Sequence, residues 1–342
     1  MKLEKILQDL EQNHNLRTLT PLKHENKFVY KQDQKLLNLA GNDYLYLASS
    51  KELKAEFLNT LKEQDLFFSS SSSRSLSGNF EIYEELESFL KTKFKDKEIL
   101  HFNSGYHLNI SCIAALSSVS KTLFLADKFI HASMIDGLKL GGADFFRFHH
   151  KNMNHLESLI QKHYENYENI IVLSEALFSM DGDFSDFKTL CELKKRYDKI
   201  KLYIDEAHSV GCFDEEGLGL VKKLALENEV DFLVFTFGKA LASIGACMIC
   251  EEKYKKFFIN KARAFIYSTA LPPINIAWTQ FIFKKMPYFK KEREKLELLS
   301  TFFKSKLQEK NHTVLGVSLI HICFFLHAGL NTEELERIIE LL

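Results

Sequence analysis

IKLYIDEAHSVG, residues 200–211, is an apolar run that ends in charged and polar residues, and DFLVFTFGKALA, residues 231–242, repeats this pattern. Short apolar runs bounded by polar residues are typical of buried strands. Three further runs share this character: TLFLA (122–126), NIIVLSE (169–175) and ACMICE (246–251). Helical patterns precede or separate the runs, at 79–94, 183–198 and 217–227. This alternation predicts an α/β fold with a mainly parallel central sheet flanked by helices on both faces.

Polar residues follow several of these runs, namely Glu175, Asp205 and Lys239, and His208 comes three residues after Asp205. Parallel sheets bind ligands at the carboxyl ends of their strands, so chemistry is expected there. A lysine can form an imine with an aldehyde. A carboxylate can keep a pyridine nitrogen protonated, and an imidazole can assist proton transfer. The combination predicts a pyridoxal-phosphate (PLP) enzyme in which Lys239 binds the cofactor as a Schiff base.

Taken one at a time, these residues have ordinary alternatives. A single Asp after a strand often caps a helix, and an isolated Lys is usually a solvated surface residue. Only the order and spacing of the residues together favour a shared site.

The charge balance and the N-terminal segment exclude several classes of partner. The 342-residue chain has 45 basic and 46 acidic residues, a balance that does not favour nucleic-acid or anionic-membrane binding. MKLEKILQDLEQNHNL (1–16) lacks the uninterrupted apolar core of a signal peptide. No stretch approaches the roughly 20 apolar residues of a membrane span. We predict a cytoplasmic protein with no nucleic-acid or membrane partner.

Cysteines and histidines do not predict a metal centre. Cys247 and Cys250 form a CxxC within an apolar run, where residues three apart on a strand point to opposite faces, and no second pair follows. The adjacent His149 and His150 have no paired carboxylate at ligand spacing. We therefore predict no metal site.

The chain divides by pattern into three segments. Residues 1–40 are predicted to form an N-terminal helix and a small-domain segment, 41–275 the large PLP-binding domain, and 276–342 a shortened C-terminal part of the small domain. Within the last segment the pattern predicts one long charged helix over roughly 274–309. A strand-like run, VSLIHICFFLH (317–327), and a final helix, NTEELERIIELL (331–342), follow it.

Beyond these patterns, the chain resembles a known family over about residues 16–275. The stretches DEAHSVG and TFGKALA are similar to motifs of the α-oxoamine synthases, fold-type I PLP enzymes of aspartate-aminotransferase-like architecture. The other matching stretches occur in the family's order: NDYLYLA (42–48), SSSSRSLSGN (70–79), NSGYHLN (103–109), DKFIHASMIDG (127–137), SEALFSMDGD (174–183) and FIYSTALPP (265–273). The resemblance implies a homodimer with the active site at the subunit interface.

The resemblance also implies roles for the matched residues. Lys239 would hold the cofactor and later remove the Cα proton of the amino acid. Asp205 would pair with the pyridine nitrogen, His208 would contact the phenolic oxygen, and His131 would stack on the ring. The remaining cofactor contacts implied are Ser179 near the phenolic oxygen, Gly105, Tyr106 and Thr236 at the phosphate, and Ser268 and Thr269 at the phosphate of the neighbouring subunit. The implied substrate contacts are Arg17, Asn42 and Arg74.

Members of this family condense an amino acid with an acyl thioester and lose CO2. SRSLSGN, with Gly78 followed by Asn79, resembles the biotin-synthesis branch, which uses L-alanine and a pimeloyl thioester. Other branches use glycine with succinyl- or acetyl-CoA, or serine with palmitoyl-CoA. We predict the alanine and pimeloyl reaction, with either pimeloyl-CoA or a pimeloyl carrier protein as donor.

Three departures from the family pattern stand out. The glycine-rich stretch is here a run of serines, Ser69 to Ser73, and Tyr83 replaces a common His. The C-terminal part is shorter by several tens of residues and lacks the family's arginine motif for the substrate carboxylate. After Lys239 the arginines are Arg263, Arg293 and Arg337, none in such a motif. A glycine-using synthase and a PLP-binding relative with impaired catalysis therefore stay as alternatives.

Overall fold

The computed structural model describes residues 2–310, 320–321 and 324–341. Within it, the chain divides into two compact units, residues 1–39 and 40–342. The first unit contains helix α1 (Lys2–Gln12) and an antiparallel three-stranded sheet of β1 (Lys23–Glu25), β2 (Phe28–Lys31) and β3 (Gln34–Leu37). None of the α1 residues is buried, and Val29 is the buried apolar residue of this sheet.

The second unit is built on one central sheet. Its strands are β4 (Glu98–Phe102), β5 (Thr122–Asp127), β6 (Asp144–Phe148), β7 (Asn169–Glu175), β8 (Ile200–Asp205), β9 (Phe232–Thr236) and β10 (Ala246–Cys250). Their order across the sheet is β4-β10-β9-β8-β7-β5-β6. The five strands from β9 to β6 are parallel, and β10 is antiparallel to both of its neighbours.

Helices connect these strands and cover them. They are α2 (Lys51–Thr60), α3 (Glu81–Lys91), α4 (Gly105–Ser117), α5 (Ala132–Leu140), α6 (Met153–His163), α7 (Phe187–Arg196), α8 (Gly219–Lys223), α9 (Glu252–Lys261), α10 (Arg263–Ile266), α11 (Pro273–Lys285), α12 (Lys290–Glu309) and α13 (Thr332–Leu341). A short hairpin of β11 (Ile320–His321) and β12 (Phe324–Phe325) precedes α13.

One apolar core holds the sheet and its helices together. Every residue of β5 and of β10 is buried, as expected for strands covered on both faces. Leu108 of α4, Met134 of α5 and Phe258 of α9 pack with the sheet residues Phe124 and Val234 in this core. The tight packing fixes the ends of the strands, and with them the polar residues that follow.

The strand pattern predicted from sequence is confirmed for β5, β7, β8, β9 and β10, including the CxxC strand, in which Cys247 and Cys250 are buried free thiols. The pattern misses the edge strands β4 and β6. In β6 only Phe148 is buried, and Glu98 and His101 interrupt the apolar character of β4, so neither forms an apolar run.

Helix predictions are confirmed in position, except near residue 287. The single helix expected over 274–309 is wrong, because α11 ends at Lys285 and a 3-10 turn, Met286–Phe289, separates it from α12. Pro287 lies in this turn, and proline lacks the N–H that would continue the helix. Parts of the predicted strand run 317–327 lie outside the described residues, and the division into domains stays a prediction.

Candidate active site

Lys239 lies in a loop directly after β9. The N–H of Phe237 donates to the carbonyl of Gly245 over 2.9 Å, and the N–H of Ser243 donates to the carbonyl of Phe237 over 2.9 Å. These bonds close the loop and hold Lys239 at the carboxyl end of the sheet. Its Nζ atom lies 2.5 Å from Nε2 of His208. Burial lowers the pKa of Lys239 to about 8, which makes a neutral, nucleophilic amine available near neutral pH.

His208 lies between Lys239 and a tyrosine from the start of the second unit. Its Nδ1 atom is 2.7 Å from the hydroxyl of Tyr44, which also lies 3.3 Å from Oδ1 of Asn42. Burial and the neighbouring Lys239 charge hold the pKa of His208 well below its usual value. The imidazole is therefore neutral and can relay a proton rather than carry a fixed charge.

Asp205, at the end of β8, is buried and held at both carboxylate oxygens. Oδ2 accepts a hydrogen bond from the side-chain amide of Asn109 over 2.8 Å, and Oδ1 accepts the N–H of Ala207 over 2.9 Å. Asn109 is fixed in turn, because its Oδ1 accepts the hydroxyl of Tyr203 over 2.7 Å and its amide donates to Ser133. These contacts leave the Asp205 carboxylate in one orientation.

Glu175 is the partner of Asp205 in the register between β7 and β8, and both side chains are buried. Burial, the Asp205 charge and nearby Asp127 raise the pKa of Glu175 to about 8, although Lys239 and the backbone N–H of His131 oppose the shift. Two neighbouring carboxyl groups in a poorly solvated site do not both ionise readily. Glu175 is therefore mostly protonated near neutral pH.

His131 caps the N-terminus of α5 with an exposed ring. Its Nδ1 atom accepts the N–H of Ser133 over 3.2 Å and lies 2.8 Å from the hydroxyl of the same serine. Since Nδ1 accepts from the backbone, a neutral His131 ring carries its proton on Nε2. His131 is the third of the groups that lower the pKa of His208, after burial and Lys239.

The N-terminus of α4 meets the end of β9 beside this group. Ser104 caps α4, its hydroxyl accepting the N–H of His107 over 3.2 Å, and Gly105 and Tyr106 begin the helix. A Cβ on Gly105 would lie 2.5 Å from Cγ2 of Thr236, so only glycine permits this approach. The first N–H groups of a helix have no acceptor within the helix and attract anions.

Other predicted residues lie in separate surroundings. Arg74 donates to the Glu87 carboxylate over 2.5 Å and to Asn79 over 2.8 Å, within an ion cluster, and no described contact joins it to Lys239. Ser179 lies in the turn after β7, and exposed Arg17 belongs to the first unit. The substrate and cofactor roles of these three residues stay predictions.

Ser268 and Thr269 lie in the loop after α10. The carbonyl of Thr269 accepts the side-chain amide of Asn103 over 2.7 Å, and the N–H of Ala270 donates to the carbonyl of Ser72 over 2.9 Å. The loop therefore lies close to the start of α4 in its own chain. Its role at the phosphate of a neighbouring subunit stays a prediction.

Two residues of the site are missing from the sequence predictions, and a third, Glu175, is predicted only as a strand-end residue without a role. Tyr44 and Asn109 occur inside the matched stretches, but their contacts with His208 and Asp205 join distant parts of the chain and leave no local signal. Glu175 closes a predicted strand, and the parallel neighbour Asp205 was the signal that could have given it a role. Among the described residues, no group of three or more His, Cys, Asp or Glu side chains is arranged to hold a metal.

Comparisons with known proteins identify the family of this chain. The family model for aminotransferase class I and II matches residues 34–341. A protein from Glaesserella parasuis serovar 5 (strain SH0165), provisionally named 8-amino-7-oxononanoate synthase, is 46% identical over 311 residues, which are 91% of this chain and 81% of that protein. A relative with the same provisional name from Neisseria gonorrhoeae (strain NCCP11945) is 44% identical over 89% of this chain and 80% of its own.

The chain belongs to the class I and II aminotransferases and, among them, to the α-oxoamine synthases.

Solved structures show the same fold-type I architecture. Serine palmitoyltransferase from S. paucimobilis superposes with a TM-score of 0.87 at 19% identity, covering 99% of this chain and 96% of that one. The 8-amino-7-oxononanoate synthase of Francisella tularensis superposes with a TM-score of 0.70 at 24% identity, covering 89% and 95%. Among the described residues, no helix has both the length and the apolar character needed to cross a membrane.

Pyridoxal 5′-phosphate is the cofactor of this α-oxoamine synthase. One observation in this structure supports the fit between the site and the cofactor. Oγ1 of Thr236 is buried and has no hydrogen-bond partner among the described residues. That hydroxyl lies beside the anion-attracting N-terminus of α4. A phosphate there would satisfy the hydroxyl and the helix N–H groups together, and the contacts of Lys239, Asp205 and His131 with the rest of the cofactor stay predictions.

Thr236→Val tests this fit. Valine keeps the shape of threonine and removes the unpartnered hydroxyl, so the cofactor-free protein should gain about 1 kcal/mol of unfolding free energy. Loss of one donor to a charged phosphate should weaken cofactor binding about tenfold. Urea unfolding without cofactor and a cofactor titration measure the two effects.

Thr122→Val is the matched control, because Oγ1 of Thr122 is also buried without a partner among the described residues but lies at the start of β5. It should stabilise the protein in the same way and leave cofactor affinity unchanged. Equal cofactor affinities in the two variants would argue against Thr236 as a phosphate contact.

Glu206 holds together the loop that carries His208. It is fully buried, and its carboxylate accepts the N–H groups of Leu220 over 2.7 Å and Val221 over 2.6 Å, as well as the Ser209 hydroxyl. Burial raises the pKa of Glu206 to about 7. Hydrogen bonds from Ser209, Leu220 and Val221 to one buried carboxyl group thus hold the segment between β8 and α8 together.

Glu206→Gln should lower stability in a pH-dependent way. A folded-state pKa raised from 4.5 to about 7 gives stability that is complete below pH 4.5 and is lost as the pH rises to about 7. The difference in unfolding free energy between wild type and variant should therefore shrink over this window, by at most about 3 kcal/mol. Above pH 7, the loss of carboxylate oxygens as hydrogen-bond acceptors should still lower the unfolding free energy of the variant by about 1–3 kcal/mol. Urea unfolding from pH 4.5 to 8 measures both; a constant difference would contradict the raised pKa.

Proposed function

We propose that this α-oxoamine synthase condenses L-alanine with a pimeloyl thioester, giving 8-amino-7-oxononanoate, free thiol and CO2, as in biotin synthesis. The observation that carries a reaction at Cα is the position of Lys239, whose desolvated amine lies 2.5 Å from a neutral His208 and interacts electrostatically with Asp205 and Glu175. This group can bind a carbonyl covalently and move a proton, and both abilities are needed for the condensation.

Each residue of the site has a proposed role that follows from its chemistry. Lys239 Nζ would hold the cofactor, leave it when alanine arrives, and then take the Cα proton. His208 lies within hydrogen-bonding distance of that amine and is anchored by Tyr44, so it orients Nζ and can pass a proton. Asp205, which Asn109 and Ala207 hold in place, would supply the negative charge that keeps the pyridine nitrogen protonated. The cofactor itself supplies a ring that accepts electrons from the substrate Cα.

Support for the substrates comes from relatives rather than from the site. The curated relatives at 43–46% identity carry the provisional name 8-amino-7-oxononanoate synthase. SRSLSGN, with Asn79 after Gly78, resembles the same branch. In the structure Asn79 accepts from Nε of Arg74 and donates to Glu84, so this motif forms an ordered network.

A thiol-release assay tests the reaction. Purified holoenzyme with L-alanine and pimeloyl-CoA should release free CoA thiol, and L-alanine alone should change the cofactor absorbance. Glycine in place of alanine separates a glycine-using synthase, such as a 2-amino-3-ketobutyrate CoA ligase, from the proposed enzyme. A pimeloyl carrier protein offered as donor in the same assay shows which thioester is used.

A PLP-binding relative with impaired catalysis is the second candidate, and the arginines after Lys239 favour it. Arg293 is buried and donates to the backbone carbonyls of Met286 over 2.9 Å and Glu215 over 2.5 Å, while Arg263 and Arg337 are exposed. None of the three has a described contact with Lys239 or His208. A cofactor absorbance that responds to neither alanine nor pimeloyl-CoA would favour this second candidate.

We also infer that the working form is a cytoplasmic homodimer. Phe68, Leu76 and Tyr267 are apolar side chains exposed by 76%, 80% and 72%, on the two loops that Ala270 and Ser72 bring together. Exposed apolar patches of this kind mark protein interfaces. The patch adjoins the Ser268–Thr269 loop, which supports an active site shared by two subunits.

A further inference from the structure

His150 lies outside the group around Lys239, yet it contacts two carboxylates from different loops. Its Nδ1 atom is 2.8 Å from Oδ1 of Asp127, at the end of β5. Its Nε2 atom is 3.2 Å from Oδ2 of Asp183, in the loop after β7. One imidazole therefore joins the carboxyl ends of two neighbouring strands.

The first of these carboxylates sets the path of the chain into His131. Asp127 is buried, and its Oδ1 accepts the N–H of Phe129 over 2.9 Å while its Oδ2 accepts the N–H of Lys151 over 2.9 Å. Residues 128–130 then lead directly to His131. Asp127 ends β5, the strand next to β7 in the sheet, and its carboxylate contributes to the raised pKa of Glu175 at the end of β7.

The second carboxylate lies at the base of the turn that carries Ser179. The N–H of Phe178 donates to the carbonyl of Asp183 over 3.0 Å, and Leu177 pairs with Phe184. The Asp183 side chain is held by His150 and by Lys151, whose Nζ lies 2.8 Å from Oδ2. The conformation of the turn therefore depends on this ion cluster.

Aromatic contacts hold the imidazole between the same two segments. Phe129 stacks on it with ring centroids 4.5 Å apart and planes at 27°, and Phe178 meets it edge-on at 4.6 Å and 88°. Phe129 belongs to the segment before His131, and Phe178 precedes Ser179. Each described partner of the ring thus belongs to one of the two segments.

We propose that His150 is a positioning residue, which holds the His131 segment and the Ser179 turn at a fixed separation around the cofactor. In this role it acts through its contacts with Asp127 and Asp183 rather than through a cofactor or substrate contact of its own. The proposal rests on the cofactor contacts given above to His131 and Ser179. Because loops sample many conformations unless tied, a shared bridge between them lowers the cost of assembling the binding site.

His150→Gln tests the proposal, since glutamine cannot bridge both carboxylates. The readouts are cofactor affinity and the circular dichroism of the bound cofactor, a signal that an achiral cofactor acquires only from its asymmetric protein contacts. Loss of a bridge to charged groups should weaken binding about tenfold, and the dichroism should fall. His149→Gln is the matched control, because His149 is exposed and contacts His155 rather than either segment; it should behave as wild type.

Asp183→Asn provides a second test if His150→Gln does not fold, because it keeps the side-chain shape and removes the charge that His150 and Lys151 share. It should shift dichroism and affinity in the same direction. Wild-type dichroism and affinity in the folded variants would overturn the proposal, even with reduced thermal stability. These readouts need cofactor binding alone, so a failure of the wild-type enzyme to release thiol from pimeloyl-CoA would refute the proposed reaction without affecting this comparison.

Discussion

Lys239→Ala should leave a folded protein that binds the cofactor without a covalent bond and turns over about 10⁴-fold more slowly, since one residue supplies both the covalent attachment and the general base. Burial lowers the pKa of Lys239, which means that the fold disfavours its charged form. Removing the amine should therefore not destabilise the protein. Borohydride reduction of the loaded protein, followed by peptide mass analysis, should place the cofactor mass on Lys239 in the wild type and on no peptide in the variant.

Lys256→Ala is a suitable control, because Lys256 is an exposed residue of α9 paired with Glu252. It should retain wild-type labelling and turnover. A small primary amine added to Lys239→Ala should restore part of the activity, because His208 and Asp205 remain in place. Labelling of a different lysine in the Lys239→Ala variant would overturn the assignment of the anchor.

Lys239, His208 and Asp205 could be brought together from sequence because each follows a strand of the same parallel sheet. Strand runs and their polar ends are local features, and the carboxyl ends of parallel neighbours meet at one edge. The phosphate role of Thr236, by contrast, is implied only by the family resemblance. The close approach of Gly105 to Thr236 has no local signal, because it depends on how α4 packs against β9.

The contacts that reach across the chain could not be predicted. Tyr44 contacts His208 from 164 positions away, and Asn109 contacts Asp205 from 96 away. The bridge that His150 forms has no local sequence signal either, because its two carboxylate partners are distant in sequence. The ion pair between Arg74 and buried Glu87 could not be predicted from the motif either, because Glu87 lies in α3, outside the matched stretch.

Asp205→Asn should lower kcat/KM for alanine by about 10²–10³-fold, the usual cost of removing one preorganised electrostatic group. The variant loses the charge that we propose keeps the pyridine nitrogen protonated. Its amide can still accept the N–H of Ala207, but its NH2 group would face the NH2 of Asn109, where the carboxylate accepted a hydrogen bond. Cofactor should remain bound through Lys239, so borohydride labelling should match the wild type. Loss of labelling together with activity would indicate a misfolded site.

The residual activity of Asp205→Asn should rise with pH, and the midpoint of this rise should lie below the Glu175 pKa of about 8. The Asp205 charge contributes to that raised value, so its removal lowers the pKa of Glu175 and lets this buried neighbour ionise nearer neutral pH. An ionised Glu175 can then supply part of the missing negative charge from the adjacent strand. The double variant Asp205→Asn, Glu175→Gln should show no such rise, and its kcat/KM should be about a further tenfold lower. Glu175→Gln alone replaces a mostly neutral carboxyl group, so its kcat/KM near pH 7 should be close to that of the wild type. A pH profile of kcat/KM for the three variants measures the effect, and identical profiles for the single Asp205 variant and the double variant would show that Glu175 takes no part.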